Sequence, residues 1–191
     1  MSKKIYLFSL VLLALAFTAC SETEETGKYD NWKTRNEAFI DSLQTVYDTA
    51  PDHGGLKYIV PKNNDKVKIF YKKKIEKETG ESPLYTETVT VYYRGSYIIG
   101  DVFDQNFSGV DPDVNFDRPS TFLVQGFYTT SPAVSAWADI LQNMKVGERW
   151  MTYIPWQVAY GSSDYTPSGS STTILGYSTL LFDIQLQSIE D

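Results

Sequence analysis

Residues 180–186 read Leu-Leu-Phe-Asp-Ile-Gln-Leu, and the apolar residues Leu180, Phe182, Ile184 and Leu186 recur at every second position. This period places side chains on a single face of a β-strand, so the stretch predicts a strand with one buried face. Polar residues occupy most of the intervening positions in the other strand-like segments, which favours an antiparallel sheet. Those segments alternate in the same way at residues 56–60, 67–71, 89–93 and 150–154.

One helical pattern interrupts these strands. Val134, Trp137, Leu141 and Met144 step by three, four and three residues, which places them on one face of a helix. Gly147 follows them as a predicted left-handed cap. A sheet with one helix packed on its buried face is an α+β layer architecture, and this is the predicted fold class.

A second helix is predicted ahead of the sheet, within residues 29–50. Residues 34–37 read Thr-Arg-Asn-Glu and have the spacing of a capping box. Apolar residues follow at helical spacing, at positions 39, 40, 43, 46 and 47. The resulting stripe can pack on the following domain, on a second copy of the chain or on a partner.

Composition excludes several classes of function. The chain has 191 residues, a formal net charge of −7 and a pI near 4.7, which argues against nucleic acid as a partner. Cys20 is the single cysteine and His53 the single histidine, so an internal disulfide, a zinc cluster and a catalytic triad are all hard to build. We therefore predict no metal and no cofactor.

One acidic cluster faintly resembles a calcium-binding loop. Asp111, Asp113, Asn115 and Asp117 alternate along the chain. However, Phe116 stands where an EF-hand requires glycine, and position 122 holds phenylalanine where glutamate is required. We interpret the cluster as a solvated insertion between strands.

The N-terminus has the layout of an export signal. Lys3 and Lys4 precede an apolar run at residues 5–17 that is too short to span a bilayer comfortably. Residues 15–20 resemble a bacterial lipobox, with Cys20 as the lipidated residue. We therefore predict a signal peptide at residues 1–19 and an acidic, flexible tether at 20–28. The alternative is an ordinary signal peptide with an incidental cysteine.

The remainder of the chain resembles FKBP-type peptidyl-prolyl isomerases in six ordered segments. The matching segments are, in order, an opening strand, a strand that ends in Tyr-Arg-Gly and a Gly-Asp-Val-Phe-Asp turn. A central helix with its exit, an Ile-Pro loop that leads to Ala-Tyr-Gly, and a final strand follow. They lie at residues 55–58, 89–95, 100–104, 137–147, 154–161 and 178–184. The resemblance implies an FKBP-like domain over residues 54–191, with an antiparallel sheet wrapped around one central helix.

The resemblance also implies a proline-binding pocket. Trp137 would form its floor, and three aromatic residues would form its walls. The Tyr160 hydroxyl would donate to a substrate carbonyl, and the Asp104 carboxylate would lie beside the rotating amide. Taken singly, each of these residues is more typical of a core or a turn, and their shared order favours the functional interpretation. The implied set is Tyr93, Phe103, Asp104, Val134, Trp137, Tyr160 and Phe182.

Several positions depart from the family pattern. Ser120 aligns where a further aromatic wall is usual, so one side of the pocket is expected to be open or differently filled. Ala133 replaces a larger β-branched residue, the loop at 162–171 is longer than usual, and residues 173–177 replace the usual run that precedes the last strand. These changes bear on turnover and peptide preference more than on the fold.

The combined prediction is a lipid-anchored isomerase of the bacterial cell envelope. It would act on X-Pro bonds of proline-containing peptides or unfolded proteins and be attached to the membrane through Cys20. One alternative is an FKBP-like module that binds peptides with little turnover. The other is a structural lipoprotein that uses the fold, together with the N-terminal helix, to join a complex.

Overall fold

The computed structural model describes residues 27–129, 134–168 and 171–190. The chain divides into two compact units, Met1–Asp30 and Asn31–Asp191. The first contributes only a turn to the description, in which the Asp30 amide donates to the Gly27 carbonyl at 2.9 Å. The predicted signal peptide, Cys20 and most of the predicted tether lie outside the described residues. Within those residues, none of the helices has the length and apolarity to cross a membrane.

The second unit begins with helix α1, Trp32–Thr49. The predicted capping box is wrong, because the helix starts two residues before Thr34. Its N-cap is Asn31, which has a left-handed backbone and makes no side-chain cap hydrogen bond. Trp32 is only 9% exposed, so tertiary packing rather than a cap fixes the first turn. A short 3₁₀ turn, Pro51–Gly55, ends the segment.

Seven strands form one antiparallel sheet. Six follow the spatial order β1-β2-β6-β7-β3-β4, and β5 also pairs with β3. The first half of β3 pairs with β5 and its second half with β4, whereas β7 pairs along its full length. The strands are β1 Lys57–Ile59, β2 Ile69–Ile75, β3 Thr88–Tyr97, β4 Val102–Gln105, β5 Ser120–Leu123, β6 Arg149–Ile154 and β7 Leu180–Glu190.

The inner face of the sheet carries the core. The four alternating residues of β7 are buried and pack with Ile140 and Leu141 of helix α3, Ala136–Asn143. The predicted fold class, an antiparallel sheet packed on a central helix, is confirmed. A four-residue helix, α2 at Gly126–Thr129, was not predicted. The predicted cap is wrong: α3 ends at Asn143, and Gly147 lies in the turn that follows.

Helix α1 packs on the opposite, outer face. Phe39 lies 6.0 Å from Tyr153, and Tyr47 lies 6.1 Å from Phe70, measured between ring centroids. Phe70 and Tyr153 are cross-strand partners on β2 and β6, so Phe39 and Tyr47 of the helix meet neighbouring side chains of the outer face. The described part of the second unit therefore has three layers, with the sheet between α1 and α3.

The acidic insertion at residues 106–119 uses its side chains locally. The Asp117 carboxylate accepts hydrogen bonds from the backbone amides of Asp113 and Ser108, and Asp113 accepts one from the amide of Asn115. Asp111 forms an ion pair with Arg149. In the described parts of the chain, no three His, Cys, Asp or Glu side chains are grouped so as to hold a metal ion.

Candidate active site

A cavity of about 160 Å³ opens between the inner face of the sheet and the start of α3. Six of the seven residues predicted for the pocket line it, and Phe103 does not. Two further aromatic residues, Phe122 and Phe127, complete the lining. The eight lining residues are Tyr93, Asp104, Phe122, Phe127, Val134, Trp137, Tyr160 and Phe182.

Trp137 forms the floor of this cavity. It is the second residue of α3 and only 3% exposed. The rings of Tyr93 on β3 and Phe182 on β7 meet the indole edge-on, at 5.4 and 5.1 Å between centroids. These edge-to-face contacts fix the ring planes, so the walls are set before any ligand arrives.

Phe103 supports a wall instead of lining the cavity. Its ring meets that of Phe182 edge-on at 5.6 Å and packs on Tyr97 at 5.3 Å. Both phenyl rings rest against Gly95, where an added Cβ would come within 2.6 Å of Phe182 and 2.7 Å of Phe103. Only glycine lets two rings approach the β3 backbone this closely.

Two phenylalanines form the aromatic wall on the side of the cavity that Ser120 was expected to leave open or differently filled. Ser120 does not line the cavity; its hydroxyl accepts a hydrogen bond from the Asn106 amide at 3.1 Å. Phe122, two residues further along β5, packs 5.6 Å from Trp137, and Phe127 of α2 packs 5.3 Å from it. The aromatic wall is therefore present and is supplied by Phe122 and Phe127. Positions 120 and 122 share a face of β5, so the period of two could have indicated Phe122 as the wall residue.

Helix α2 is held in place by a buried carboxylate. The Tyr128 hydroxyl donates to the Asp139 carboxylate at 2.5 Å, and Asp139 is only 2% exposed. Burial, followed by this hydrogen bond, raises the pKa of Tyr128 well above its ordinary value. The contact ties α2 to α3 and so places Phe127 against the indole.

The rim of the cavity carries three polar groups. The Tyr93 hydroxyl donates to Asp104 at 2.9 Å, and burial followed by the nearby Asp104 charge raises the Tyr93 pKa. Burial also raises the pKa of Tyr160 to about 12, with smaller contributions from Tyr165 and Asp104. Within the described residues, nothing hydrogen-bonds to the Tyr160 hydroxyl. Tyr160 therefore presents a neutral, available donor to the cavity.

The long loop after Tyr160 folds back over it. Tyr165 and Ile174 form an antiparallel bridge with two backbone hydrogen bonds, 2.8 and 2.7 Å long. The Tyr165 ring stacks on Tyr160, with centroids 4.6 Å apart and planes 22° from parallel. The insertion thus adds an aromatic contact beside the cavity.

Residues 79–187 match the sequence profile of the FKBP-type peptidyl-prolyl cis-trans isomerases. That stretch is more than half of the chain and contains all eight residues that line the cavity. This chain is an FKBP family member.

Two relatives set this FKBP domain in context. The chain is 33% identical over 167 residues to the "Outer membrane protein MIP" of Legionella longbeachae. The aligned region covers 87% of this chain and 58% of that protein. It is 32% identical over 115 residues to the Escherichia coli K12 "FKBP-type 22 kDa peptidyl-prolyl cis-trans isomerase". That alignment covers 60% of this chain and 47% of the relative. The chain thus spans about half the length of the curated relatives it matches.

Solved structures show the same FKBP fold. FkpA from Escherichia coli matches with a TM-score of 0.58 and 23% identity, covering 100% of this chain and 74% of that one. A peptidyl-prolyl isomerase from Pseudomonas syringae matches with a TM-score of 0.53 and 24% identity, covering 82% of this chain and 96% of that one. At these identities the likeness concerns the fold alone.

Proposed function

We propose that this FKBP domain catalyses cis-trans isomerisation of X-Pro bonds in proline-containing peptides or unfolded proteins. The observation that carries the proposal is the aromatic cavity with Trp137 as its floor and the free hydroxyl of Tyr160 at its rim. Its size suits a small ring, its floor and walls are mainly aromatic, and its polar groups lie at the rim.

The chemistry requires little more than such a cavity. Rotation about a peptide bond costs about 18–20 kcal/mol, because resonance is lost, and uncatalysed X-Pro exchange takes tens of seconds or more. No covalent bond breaks, so a catalyst needs only to bind the twisted amide better than the planar one. The planar amide has the larger dipole, and an aromatic cavity therefore disfavours it relative to the twisted form.

The polar rim would orient the substrate. A donor at Tyr160 can hold a carbonyl that flanks the proline and keep the peptide in a turn. The Asp104 carboxylate, fixed by the Tyr93 hydroxyl at 2.9 Å, would lie near the amide nitrogen side of the rotating bond. In this scheme the seven residues implied by the family resemblance act together, with Phe103 acting through Phe182.

The direct test is a proline-peptide isomerisation assay on the full chain. We expect a clear rate enhancement that Asp104→Leu lowers by about tenfold or more, since Asp104 is exposed and its replacement leaves the core intact. Asp65→Leu removes another exposed carboxylate, outside the cavity lining, and is the matched control. Peptide binding without rate enhancement would favour the weakly catalytic module instead, and absence of both would favour the structural lipoprotein.

We further propose that the chain works in a bacterial cell envelope, anchored by lipid on Cys20. Support comes from the signal-like residues 1–19, the single cysteine directly after them, and the relative named as an outer membrane protein. The acidic residues that follow would then form a short tether between the anchor and the FKBP domain.

A further inference from the structure

The segment at residues 173–179 is held on one side by the hydroxyl of Tyr97. That hydroxyl donates to the Thr173 carbonyl at 3.2 Å and accepts from the Leu175 amide at 3.1 Å. Tyr97 lies on β3 and packs on Phe103, which supports the cavity wall. One side of the segment is therefore fixed to the sheet that carries the site.

Helix α1 holds the other side of the same segment. The Trp32 indole N–H donates to the Ser178 hydroxyl at 2.9 Å, and that hydroxyl donates in turn to the Leu175 carbonyl at 2.6 Å. The Asn36 side-chain oxygen accepts from the Thr179 amide at 2.8 Å. Trp32 is 9% exposed and Asn36 is fully buried, so water competes little for these hydrogen bonds.

The segment is connected directly to the rim of the cavity. Ile174 forms both hydrogen bonds of the bridge to Tyr165, and the Tyr165 ring stacks on Tyr160. Gly176 lies so close to Ser162 that an added Cβ would approach its carbonyl oxygen to 2.4 Å. Displacement of residues 173–179 would therefore displace the ring that rests on Tyr160.

We propose that helix α1 is a working part of the isomerase site, with Trp32 and Asn36 as positioning residues. By holding residues 173–179, they keep Tyr165 stacked on Tyr160 and the Tyr160 hydroxyl directed at the cavity. The inference rests on the proposed isomerase function only for its catalytic readout. Its structural content is that α1 holds residues 173–179 and, through Ile174, the position of Tyr165.

The test compares two ways of weakening α1 in the full chain. Trp32→Phe keeps an aromatic ring but removes the donor to Ser178, and Ser178→Ala removes the same link from the other side. Phe39→Ala weakens α1 against Tyr153, remote from residues 173–179, and is the matched control. Asn36→Ala removes the acceptor for the Thr179 amide.

We expect Trp32→Phe, Ser178→Ala and Asn36→Ala to lower kcat/KM by about fivefold to tenfold, the scale of one lost hydrogen bond. The value of kcat/KM is measured under conditions in which circular dichroism shows that each variant is folded. Phe39→Ala should lower the thermal midpoint while kcat/KM stays within about twofold of the parent. Equal losses of kcat/KM in all variants, or none in any, would reduce α1 to a structural brace.

Hydrogen exchange separates this inference from the proposed function. In Trp32→Phe and Ser178→Ala, the amides of Tyr165 and Ile174 should exchange faster, whereas amides of β2 and β6 stay protected. Phe39→Ala should leave the two loop amides unchanged. If the parent protein lacks isomerase activity, this pattern still supports the positioning role, and unchanged exchange at Tyr165 and Ile174 overturns it.

Discussion

Ser120 and Phe122 lie two residues apart on β5, and only the second reaches the cavity. In a strand, positions i and i+2 share a face, so a chain can supply the same wall from either one. Phe122 supplies the aromatic wall, and Phe127 of α2 packs beside it with ring centroids 5.4 Å apart. The cavity wall is therefore aromatic although position 120 is a serine.

Phe122→Ala should therefore damage the site, whereas Ser120→Ala should not. Loss of the Phe122 ring opens the cavity and removes its contact with Trp137, so we expect kcat/KM to fall by about tenfold and stability by about 1–3 kcal/mol. Ser120→Ala removes only one of the two acceptors of the Asn106 amide group, the other being the Val91 carbonyl. Isomerisation and thermal unfolding assays check both. A larger catalytic loss at position 120 than at 122 would contradict the assignment.

Tyr160→Phe should lower kcat/KM by about fivefold to tenfold with little change in stability, because it removes a donor that has no partner among the described residues. Burial raises the Tyr160 pKa to about 12, so the hydroxyl remains a donor across the ordinary pH range. Rates measured from about pH 6 to about pH 10 should accordingly show no ionisation due to this group. An alkaline loss of activity that disappears in Tyr160→Phe would refute this.

At the scale of elements, β6 and β7 are joined across their outer face by an ion pair. Both Arg149 and Asp183 are nearly fully buried, and their side chains meet at 2.7 Å. Lys74 of β2 also contacts Asp183 at 2.7 Å. Burial alone would raise the Asp183 pKa, but hydrogen bonds from Arg149 and Lys74 outweigh it and lower that pKa below its ordinary value.

This pair makes stability sensitive to acid. Because the folded-state pKa of Asp183 is depressed, its contribution is complete above the unfolded pKa of about 3.9 and is lost as pH falls further. The thermal midpoint should therefore decrease as the pH is lowered below about 4. Asp183→Asn should destabilise the protein at pH 7 by about 3–5 kcal/mol, because Arg149 stays buried, and should flatten the acid decline.

Thermal melts from about pH 7 to about pH 3 measure both effects. Asp65→Asn, which removes an exposed loop carboxylate, is the control and should follow the parent curve. An acid decline of unchanged slope in Asp183→Asn would show that other carboxylates determine it.

The strands could be predicted from sequence because a local period reports a buried face. Apolar residues recur at every second position of residues 180–186, and these residues form the first part of β7. The first turn of α1 could not be predicted, since Trp32 is fixed by Ser178, almost 150 residues away. Phe127 was equally inaccessible: its place depends on the Tyr128–Asp139 hydrogen bond, which no periodicity encodes.

At the scale of the whole molecule, the outer face of the sheet is covered in part by α1, and the chain enters this helix from its N-terminal side. The division into residues 29–50 and 54–191 stays a prediction, as does everything proposed for residues 1–26. Attachment to a membrane would act through the segment that precedes α1.

Cys20→Ser should release the protein from membranes if Cys20 carries lipid. In a bacterial host, the parent should incorporate a labelled fatty acid and sediment with membranes, whereas Cys20→Ser should do neither. A single acyl chain anchors only weakly, so stable sedimentation implies more than one chain. Ser21→Ala, next to the cysteine, is a control that should behave like the parent. Labelling that persists in Cys20→Ser would contradict the proposal.

The central position of β7 has a consequence for biogenesis. It is the last strand of the described chain, yet it lies between β6 and β3 and supplies the pairing between the two halves of the sheet. Until residues 180–190 have been synthesised, β6 and β3 lack the strand that pairs with both of them, so the seven-stranded sheet closes last. Formation of the sheet therefore depends on contacts between residues far apart in the chain, which slows folding relative to a fold built from local contacts.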